Sequence, residues 1–563
     1  MRAAPRKCAR VTKFLFAGVT VFCVSWIACV GEWHGGGRWR GRRGTVERAP
    51  ATMRTIVAYS EGKLAEMERP APVACDRLPA LPTVPHIDRT WWPGQHQQGG
   101  WQRVAGTHVT LYAAYYDERS SQPYIRILAS FKGRSFSMDE TLFCQTRPIN
   151  PNEDSVEVVE AKPLEIWFEK WDSMSTEVET PLLLSCPLKE PLYTTSLVSV
   201  VTEPCDDPTN GFSLEPSKQS PKYNRTLTIC VKDMNFDTDI SQNLIEWIST
   251  NRILGVDLID MYVDNVSKET EKVLSYYRSK GYIRLFHVPI KYKQGRLLWQ
   301  RRRDHIITYN DCLYRNIRES EYIVPLDVDE IVLPKVAKTI PELLTRLADR
   351  GWDPNRHSAA IVQNVFFFDF MQGIQKYKSK SDITNKSKIY VKRDDVRIQE
   401  SEKFNVTIEL IDNVSSLSNE VIDISEIEKV YSNEYKSRCG GDFPVPKLAR
   451  HVISSALVSP AGHYSKSLMV TKKVLTAFNH YPLASIGVAS APLTHAVWPA
   501  PFDEVQLNHY KESCNTTMVP ECARYGLRAR LDRAARRLLS RLRSELARNA
   551  PCQGIMDAIN DHT

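Results

Sequence analysis

The sequence of 563 residues lacks several patterns that would each identify a class of protein. It contains neither G-x-G-x-x-G nor G-x-x-x-x-G-K, which excludes a dinucleotide fingerprint and a P-loop. No two of its 13 cysteines form a C-x-x-C pair, which argues against a zinc site or a redox motif. Low-complexity repeats are absent. The composition, 42% hydrophobic and 25% charged, excludes wholesale disorder and a multi-span transporter.

Positive charge is concentrated at the two ends of the chain. Ten Lys or Arg outweigh two acidic residues in positions 1–50, and nine Arg outweigh two acidic residues in positions 523–549. Because the formal net charge is +8, the part between them carries about −7. A mildly acidic middle argues against nucleic acid as a partner.

One uncharged apolar stretch, residues 14–31, follows five basic residues near the N-terminus. As a helix at about 1.5 Å per residue it would span roughly 27 Å, close to the thickness of a bilayer core. The stretch predicts an uncleaved signal anchor, with a cleaved signal peptide as the alternative. Residues 1–13 then form a cytoplasmic tail, and the chain is a single-pass, type II membrane protein.

Two features agree with a luminal location for the rest of the chain. Ten cysteines follow residue 31, an even number that can pair in an oxidising lumen, although the sequence does not give their connectivity. Six Asn-x-Ser/Thr sequons are compatible with passage through the secretory pathway. They lie at Asn224, Asn265, Asn385, Asn405, Asn413 and Asn515.

Beyond the anchor, the pattern of residues changes three times. Residues 32–95 are rich in Gly and then Pro and predict a stem, and residues 96–215 contain β-rich runs such as Thr107–Tyr116 and Tyr124–Phe131, typical of a small β-rich domain. Residues 220–525 alternate apolar strands with helical stretches. Residues 526–563 predict a basic helical tail, either simply solvated or able to touch an anionic surface.

The alternating part predicts an α/β fold with a mostly parallel, Rossmann-like sheet and helices on both faces. Ligands of such sheets bind at the carboxyl ends of the strands. The predicted strands are Leu227–Val231, Leu258–Val263, Ile283–Val288 and Tyr322–Leu326, and the predicted helices are Ile240–Arg252, Glu269–Lys280 and Trp299–Arg318.

The last of these strands leads directly into Asp327-Val328-Asp329-Glu330. In an extended chain, residues i and i+2 share a face, so Asp327 and Asp329 are expected to point the same way. A divalent cation would relieve their repulsion and could hold a diphosphate. A second acidic pair, Asp237 and Asp239, follows no apolar strand, and Asp239 is placed to cap a helix.

The succession of Asp311-Cys312-Leu313, Val324 to Ile331, Asn479-His480-Tyr481-Pro482 and Leu507-Asn508-His509-Tyr510-Lys511 resembles glycosyltransferase family 92, especially its arthropod-type members. The resemblance covers about residues 220–525. It implies a GT-A fold, a nucleoside-diphosphate sugar donor, usually UDP-galactose, Mn²⁺ or Mg²⁺, and inversion at the anomeric carbon. One departure lies in the first helix, which lacks the Tyr-His that often follows Glu-Trp-Ile.

The resemblance implies roles for the acidic and histidine residues. Asp329 is expected to bind the metal directly, and Asp327 to bind the ribose or the metal through water. His509 and His480 are candidate further metal ligands. Glu330 either faces the acceptor or begins a solvated turn.

Three further residues are candidates for donor binding, each with a structural alternative. Asp264 follows the second strand, where a nucleotide would lie; Asn310 and Asp311 lie on the helix before the acidic strand end. Because a glycan on Asn265 would crowd the nucleotide, we expect Asn265 to be unmodified, and the other five sequons to be glycosylation sites.

Inverting transfer also requires a carboxylate base. The candidates are Asp369, Asp503 and Glu504. The leading hypothesis is a Golgi enzyme that transfers a hexose, most simply galactose, from a UDP-sugar to a glycan or glycoprotein acceptor. The alternative is a non-catalytic luminal protein that keeps the GT-A fold as a sugar-binding or scaffolding module.

Overall fold

The protein is described from a computed structural model. The structure describes residues 72–94, 100–136, 141–149, 155–167, 172, 175, 177–216, 223–291, 296–372, 389–390, 407–410, 438–439, 446–486, 496–513 and 522–552. The predicted membrane helix and the sequons at Asn385, Asn405, Asn413 and Asn515 lie outside these residues. Within them, no helix has the length and apolar character needed to cross a membrane.

The N-terminal part of the described chain is a pair of antiparallel sheets. Alternating residues of both sheets, such as Ile127 and Val198, face one shared apolar core, and the disulfide Cys144–Cys186 joins the two sheets. The predicted β-rich domain is therefore a sandwich. Its strands are β1 (Gln102–Arg103), β2 (Val109–Asp117), β3 (Tyr124–Lys132), β4 (Phe143–Pro148), β5 (Glu157–Glu160), β6 (Lys162–Glu165), β7 (Glu179–Pro187), β8 (Ser196–Val201) and β9 (Phe212–Leu214), in the orders β1-β2-β3-β7-β6 and β5-β4-β8-β9.

The alternating strands and helices predicted after residue 220 are confirmed. The first of them are β10 (Arg225–Asn235), α1 (Ser241–Ile253), β11 (Leu258–Asn265), α2 (Lys268–Ser279), β12 (Ile283–His287), α3 (Leu298–Asn316) and β13 (Ser320–Pro325). Strands β12, β11, β10 and β13 lie side by side in that order and are parallel. Short apolar strands that alternate with amphipathic helices form a parallel sheet because each helical crossover returns the chain to the same sheet.

The second half of the sheet is mixed. The elements that follow β13 along the chain are β14 (Glu330–Pro334), α4 (Ile340–Asp349), β15 (Ala359–Val362), β16 (Asn364–Phe368), α5 (Asp369–Gln372), β17 (Ile389–Tyr390), β18 (Thr407–Leu410), α6 (Lys447–Arg450), β19 (Ile453–Ser455), β20 (Lys466–Val470), β21 (Val474–Thr476), β22 (Ala484–Ser485), β23 (Val497–Pro499) and β24 (Val505–Lys511). Strand β20 joins β13 and β15 in antiparallel pairs, and β23 extends the sheet in parallel to β15. Strands β14, β24 and β16 form a separate small sheet beside it.

Apolar cores cover both faces of the large sheet. Ile229 and Ile259 face α1, α2 and α4 on one side, whereas Cys230 and Tyr262 face α3 on the other. The outer side of α3 packs against the sandwich through residues such as Leu183. Helix α3 is thus buried between the two sheets, and the disulfide Cys230–Cys312 links it to β10.

The described part of the predicted stem, residues 72–94, packs against the folded parts of the chain. Cys75 is bonded to Cys205 of the sandwich, and Thr90 pairs with Phe286 on the edge strand β12. Trp91 is only 4% exposed and lies in the core of the large sheet. Residues 72–94 therefore contact both the sandwich and the large sheet.

The C-terminal residues also differ from the predicted separate tail. They form α7 (Cys522–Gly526), β25 (Arg528–Leu531), a 3₁₀ turn (Ala534–Leu538) and α8 (Leu539–Asn549). Strand β25 pairs with β18 and β19, and Leu538, Leu542 and Leu546 are buried in the large core beside α1. The leucines at helical spacing cover core surface, which is why the helix docks instead of remaining in solvent.

Candidate active site

A cavity of about 530 Å³ opens at the carboxyl end of the central strand β10. Lys232 and Asp233 reach it from β10, Asp327 and Asp329 from the segment after β13, and Lys511 from the end of β24. It lies where an α/β sheet of this kind places its ligand. Within the described residues, Lys511 and Lys447 of this lining form no ion pair.

Asp327 to Glu330 form a turn and not the extended segment that the sequence suggested. The Glu330 N–H donates to the Asp327 carbonyl at 3.0 Å, and the Asp327 N–H donates to Glu330 Oε2 at 3.0 Å. Both aspartates still line the same cavity, together with Val328. The turn between β13 and β14 therefore places the two aspartates at the cavity.

Two lysines hold Asp327. Lys232 Nζ lies 3.0 Å from Asp327 Oδ1, and Lys466 Nζ lies 3.3 Å from Oδ2. Burial raises the pKa of the Asp327 carboxyl, but the two ammonium groups outweigh that effect and hold the pKa well below its usual range. Asp327 is therefore a charged, anchored carboxylate.

Glu330 is buried, with 2% exposure, beneath this pair. Lys466 Nζ lies 3.1 Å from Glu330 Oε2, so one ammonium, itself only 1% exposed, serves two carboxylates. Burial raises the pKa of Glu330. Its side chain neither begins a solvated turn nor lines the cavity; it supports the turn from below.

Asp329 has a different environment. Its side chain is 43% exposed, and its Oδ2 lies 3.3 Å from His509 Nε2. Desolvation of its carboxyl group raises the pKa of Asp329, but the nearby His509 outweighs that effect and the net shift is downward, so the carboxylate is ionised at neutral pH. Strands β14 and β24 create this contact because Glu330 is paired with His509 in their register.

Asp329 and His509 could supply part of the ligand set of a divalent cation. Asp329 lines the cavity, whereas His509 lies beside it outside the lining and is 7% exposed. The Asp329 carboxylate is a suitable ligand for Mn²⁺ or Mg²⁺, which often take their other ligands from water and substrate phosphate, and the neighbouring imidazole could add a nitrogen ligand to Mn²⁺. In the part of the chain that the structure describes, no cluster of three or more His, Cys, Asp or Glu could hold a metal alone.

A second charged cluster lines the same cavity. Asp233 is buried at the end of β10, and its Oδ2 accepts from Arg301 Nε at 3.0 Å and from His305 Nε2 at 3.3 Å. Burial lowers the pKa of His305 to about 4, so this ring is neutral at pH 7 and its Nε2 carries the proton that Asp233 accepts. Helix α3 supplies both partners.

His480, the other candidate ligand, lies behind Lys466. Its Nδ1 is 2.8 Å from the Ser465 carbonyl, and burial lowers its pKa to about 3. The neighbouring Asn479 accepts from Lys466 Nζ at 2.5 Å and from Tyr309 OH at 3.0 Å. The Asn-His pair thus helps to position Lys466, and His480 is not part of the cavity wall.

The candidate donor-binding residues of the sequence separate into two groups. Asn310 satisfies both ends of its amide with backbone groups of Ile306 and Ala477, and Asp311 accepts from Arg315 Nε at 2.6 Å in a fully buried cluster. Neither lines the cavity. Asp264 lies nearer, since it accepts from Asn235, a lining residue, at 2.7 Å.

The three candidate bases also lie apart. Asp503 and Glu504 lie in the turn before β24, at the opposite end of that strand from Lys511, and they pair with Arg350 and Arg346. Asp369 instead follows β16 at the end where Phe368 is paired with Lys511 of the cavity. It is 42% exposed and lies 2.6 Å from His451 Nε2.

Lys232 and Lys466 were not among the sequence candidates. Lys232 had a usable signal, because it follows the apolar run of β10 at a strand end, as Asp327 does at the end of its strand. Lys466 had none, because it stands at the start of a short strand 139 residues from Asp327.

These features define an α/β protein with a charged ligand cleft at the carboxyl ends of its parallel strands. The model of glycosyltransferase family 92 matches residues 225–531, more than half of the chain, and the chain belongs to that family. It is therefore a member of a glycosyltransferase family, which implies a sugar donor and a glycan acceptor. No curated protein matches the sequence.

Among solved structures, one match is a crystal structure of a cycloisomaltooligosaccharide glucanotransferase from Paenibacillus sp. complexed with cycloisomaltoheptaose. It has 8% identity and a TM-score of 0.13, and the match covers 27% of this chain and 20% of that chain. At this level of similarity the match carries no argument about fold or function.

Proposed function

We propose that this protein transfers a hexose, most simply galactose from UDP-galactose, to a hydroxyl of a glycan or glycoprotein, with inversion. The observation that supports this proposal is the cavity in which Asp327 and Asp329 meet Lys232, Arg301 and Lys511. Such a wall offers hydrogen-bond acceptors for ribose and cations for a diphosphate. The strand order β12-β11-β10-β13 followed by antiparallel β20 is the basis for proposing a GT-A fold.

Asp329 and His509 are the residues that would hold Mn²⁺ or Mg²⁺. A cation bound there would act as a Lewis acid that neutralises the diphosphate of the departing nucleotide. Asp327, which the two lysines hold in place, is suited to accept from a donor hydroxyl. Lys511 and Lys447 add positive charge to the wall of the same cavity.

Asp369 is the base that the geometry favours among the three candidates. It is half-exposed at the cavity end of β16, and His451 fixes its carboxylate. A carboxylate held in this way could accept the proton of the attacking acceptor hydroxyl. Asp503 and Glu504 lie at the other end of β24, engaged by arginines. We further propose that the chain acts in the Golgi lumen, anchored through residues 14–31.

The test measures release of UDP by the purified full-length protein, with Mn²⁺, a panel of UDP-sugars, and glycan acceptors present or absent. Asp329→Ala should lower release by about 100-fold or more, because it removes the stabilisation of the leaving group. Binding of Mn²⁺, followed by electron paramagnetic resonance, should weaken in the same variant. Asp503→Ala is the matched control, since it removes an exposed carboxylate distant from the cavity.

If the wild-type protein binds neither Mn²⁺ nor any UDP-sugar, the proposal fails and the non-catalytic sugar-binding alternative replaces it. Equal activity of the Asp329→Ala and Asp503→Ala variants would remove Asp329 from the mechanism. Asp369→Asn provides the corresponding test of the base, because it should abolish transfer to an acceptor while Mn²⁺ binding stays unchanged.

A further inference from the structure

A second cavity, of about 460 Å³, lies between the sandwich and the first turns of α3. The sandwich contributes Ser130, Val178 and Glu179 to its wall, and α3 contributes Trp299 and Gln300. It belongs to neither part alone. The cavity exists because α3 packs between the two sheets and leaves its N-terminal end open.

The charges of this cavity are neutralised within the protein. Among the residues that the structure describes, the four cations of the wall each have a carboxylate partner: Lys132 with Glu177 at 3.2 Å, Lys291 with Glu179 at 2.6 Å, Arg296 with Asp304 at 3.0 Å, and Arg303 with Asp172 at 2.9 Å. In the first cavity, by contrast, Lys447 and Lys511 have no ion-pair partner among the described residues. The described wall of the second cavity therefore has no unpaired charge for an ionic ligand, which favours a ligand that is polar but uncharged.

Its other surfaces are aromatic and aliphatic. The rings of Trp101 and Trp299 belong to the wall, and Leu297, which is 68% exposed, stands at the rim. Gln300 adds an amide that bridges Asp304 and the Glu179 backbone. Lys291 lies 4.5 Å from the centre of the Trp101 ring and Arg302 lies 4.5 Å from that of Trp299, so both indoles also contact cations. A ring with one apolar face and a rim of hydroxyl groups matches such a surface, because the aliphatic and aromatic side chains can pack on the apolar face and an ion-paired carboxylate keeps lone pairs that accept from hydroxyls.

The two cavities share helix α3. Arg301 and His305 face the first cavity, whereas their neighbours Gln300 and Asp304 face the second, so that the thickness of one helix, about 10 Å, separates them. Arg296 lies at the division, where it contacts Asp304 and Asp233. A ligand that occupied both cavities would have to be longer than a single sugar.

We propose that the second cavity is a carbohydrate-binding subsite that holds an uncharged hexose of the acceptor glycan, away from the hydroxyl that reacts. The role of this glycan as the acceptor rests on the proposed function, whereas the binding of a neutral glycan is independent of it. The sandwich is then part of the substrate-binding surface.

The test is binding of neutral oligosaccharides released from glycoproteins to the full-length protein, measured by calorimetry without a donor. Leu297→Asp should weaken binding about tenfold or more, because it places a charge against the apolar rim. Leu298→Asp is the matched control, since Leu298 is 41% exposed but lies outside the wall. Both substitutions are at the start of α3, where Asp favours the helix, so both variants should fold.

Two more variants separate this inference from the proposed function. Trp299→Ala should weaken binding as Leu297→Asp does, whereas Asp329→Ala should bind the glycan as the wild type does. If glycan binding is lost in Leu297→Asp but no UDP-sugar is ever cleaved, the subsite stands and the transferase proposal fails. If UDP release is normal but no neutral glycan binds, or if Leu297→Asp and Leu298→Asp bind equally, the subsite is refuted.

Discussion

Asp327 and Asp329 are two residues apart, yet removal of each carboxylate leaves a different environment behind. Without Asp327, Lys466 stays buried at 1% exposure with Glu330 as its remaining partner. We expect Asp327→Asn to lower the free energy of unfolding by about 2–3 kcal/mol, because a buried cation loses half of its compensation. Asp329→Asn should lower it by under about 1 kcal/mol, since that carboxylate is 43% exposed.

Urea denaturation of the two variants, followed by circular dichroism, measures this difference. Equal losses of stability would show that Lys466 does not depend on Asp327. The comparison also separates folding from chemistry, because Asp329→Asn should remove Mn²⁺ binding from a protein that is nearly as stable as the wild type.

His305 gives the site a pH dependence. Its folded pKa of about 4 lies below the ordinary value of 6.5, so the folded protein binds fewer protons than the unfolded chain between these values. Stability is therefore lost as the pH falls from 6.5 to 4, by up to about 3 kcal/mol from this residue. His305→Gln should reduce that loss relative to the wild type.

The measurement is the free energy of unfolding of both proteins at intervals from pH 7 to pH 4. The difference between them isolates His305, because their carboxylates are the same. Parallel curves would mean that His305 accepts a proton freely in the folded protein, and that Asp233 does not hold a neutral ring.

At the scale of elements, α8 shows why a basic helix need not be a binding tail. Leu542 is fully buried in the core beside α1, whereas Ser540, two residues earlier, is exposed. Leu542→Ala should cost about 2–5 kcal/mol of stability through a cavity in that core. Ser540→Ala should change stability by less than about 0.5 kcal/mol.

Thermal unfolding of the two variants provides the check. If Leu542→Ala unfolds at the same temperature as Ser540→Ala, α8 is a peripheral tail after all. The arginines of this region led to the prediction of a separate tail. They indicate that one face of the helix is exposed to water, but they do not tell whether the other face is buried.

Elements with regular patterns could be predicted, and their long-range partners could not. Apolar runs and helical spacing located β10 to β13 and α1 to α3 within a few residues. The turn that carries Asp327 and Asp329 was visible as a strand end, but its shape depends on Glu330 reaching back to the Asp327 N–H. Lys466 and the pairing of His509 with Glu330 arise only when distant strands meet, and no local pattern encodes such a meeting.

At the scale of the whole molecule, the boundary between stem and domain is set by tertiary contacts. A chain that began at residue 95 would lose Trp91 from the core of the large sheet and the Cys75–Cys205 bond from the sandwich. Loss of a buried Trp and of a disulfide each costs about 2–5 kcal/mol. We therefore expect residues 95–563 to be less stable than residues 72–563 by several kcal/mol, or to fail to fold.

A chain of residues 82–563 separates the two contributions. It lacks Cys75 but keeps Thr90 and Trp91 on the edge strand β12, so it should be intermediate in stability between the other two. Chemical denaturation of the three proteins, all secreted under oxidising conditions, measures the order. Equal stability of all three would contradict the packing of residues 72–94. It would mean that these residues are only a spacer, because a spacer contributes nothing to the free energy of unfolding.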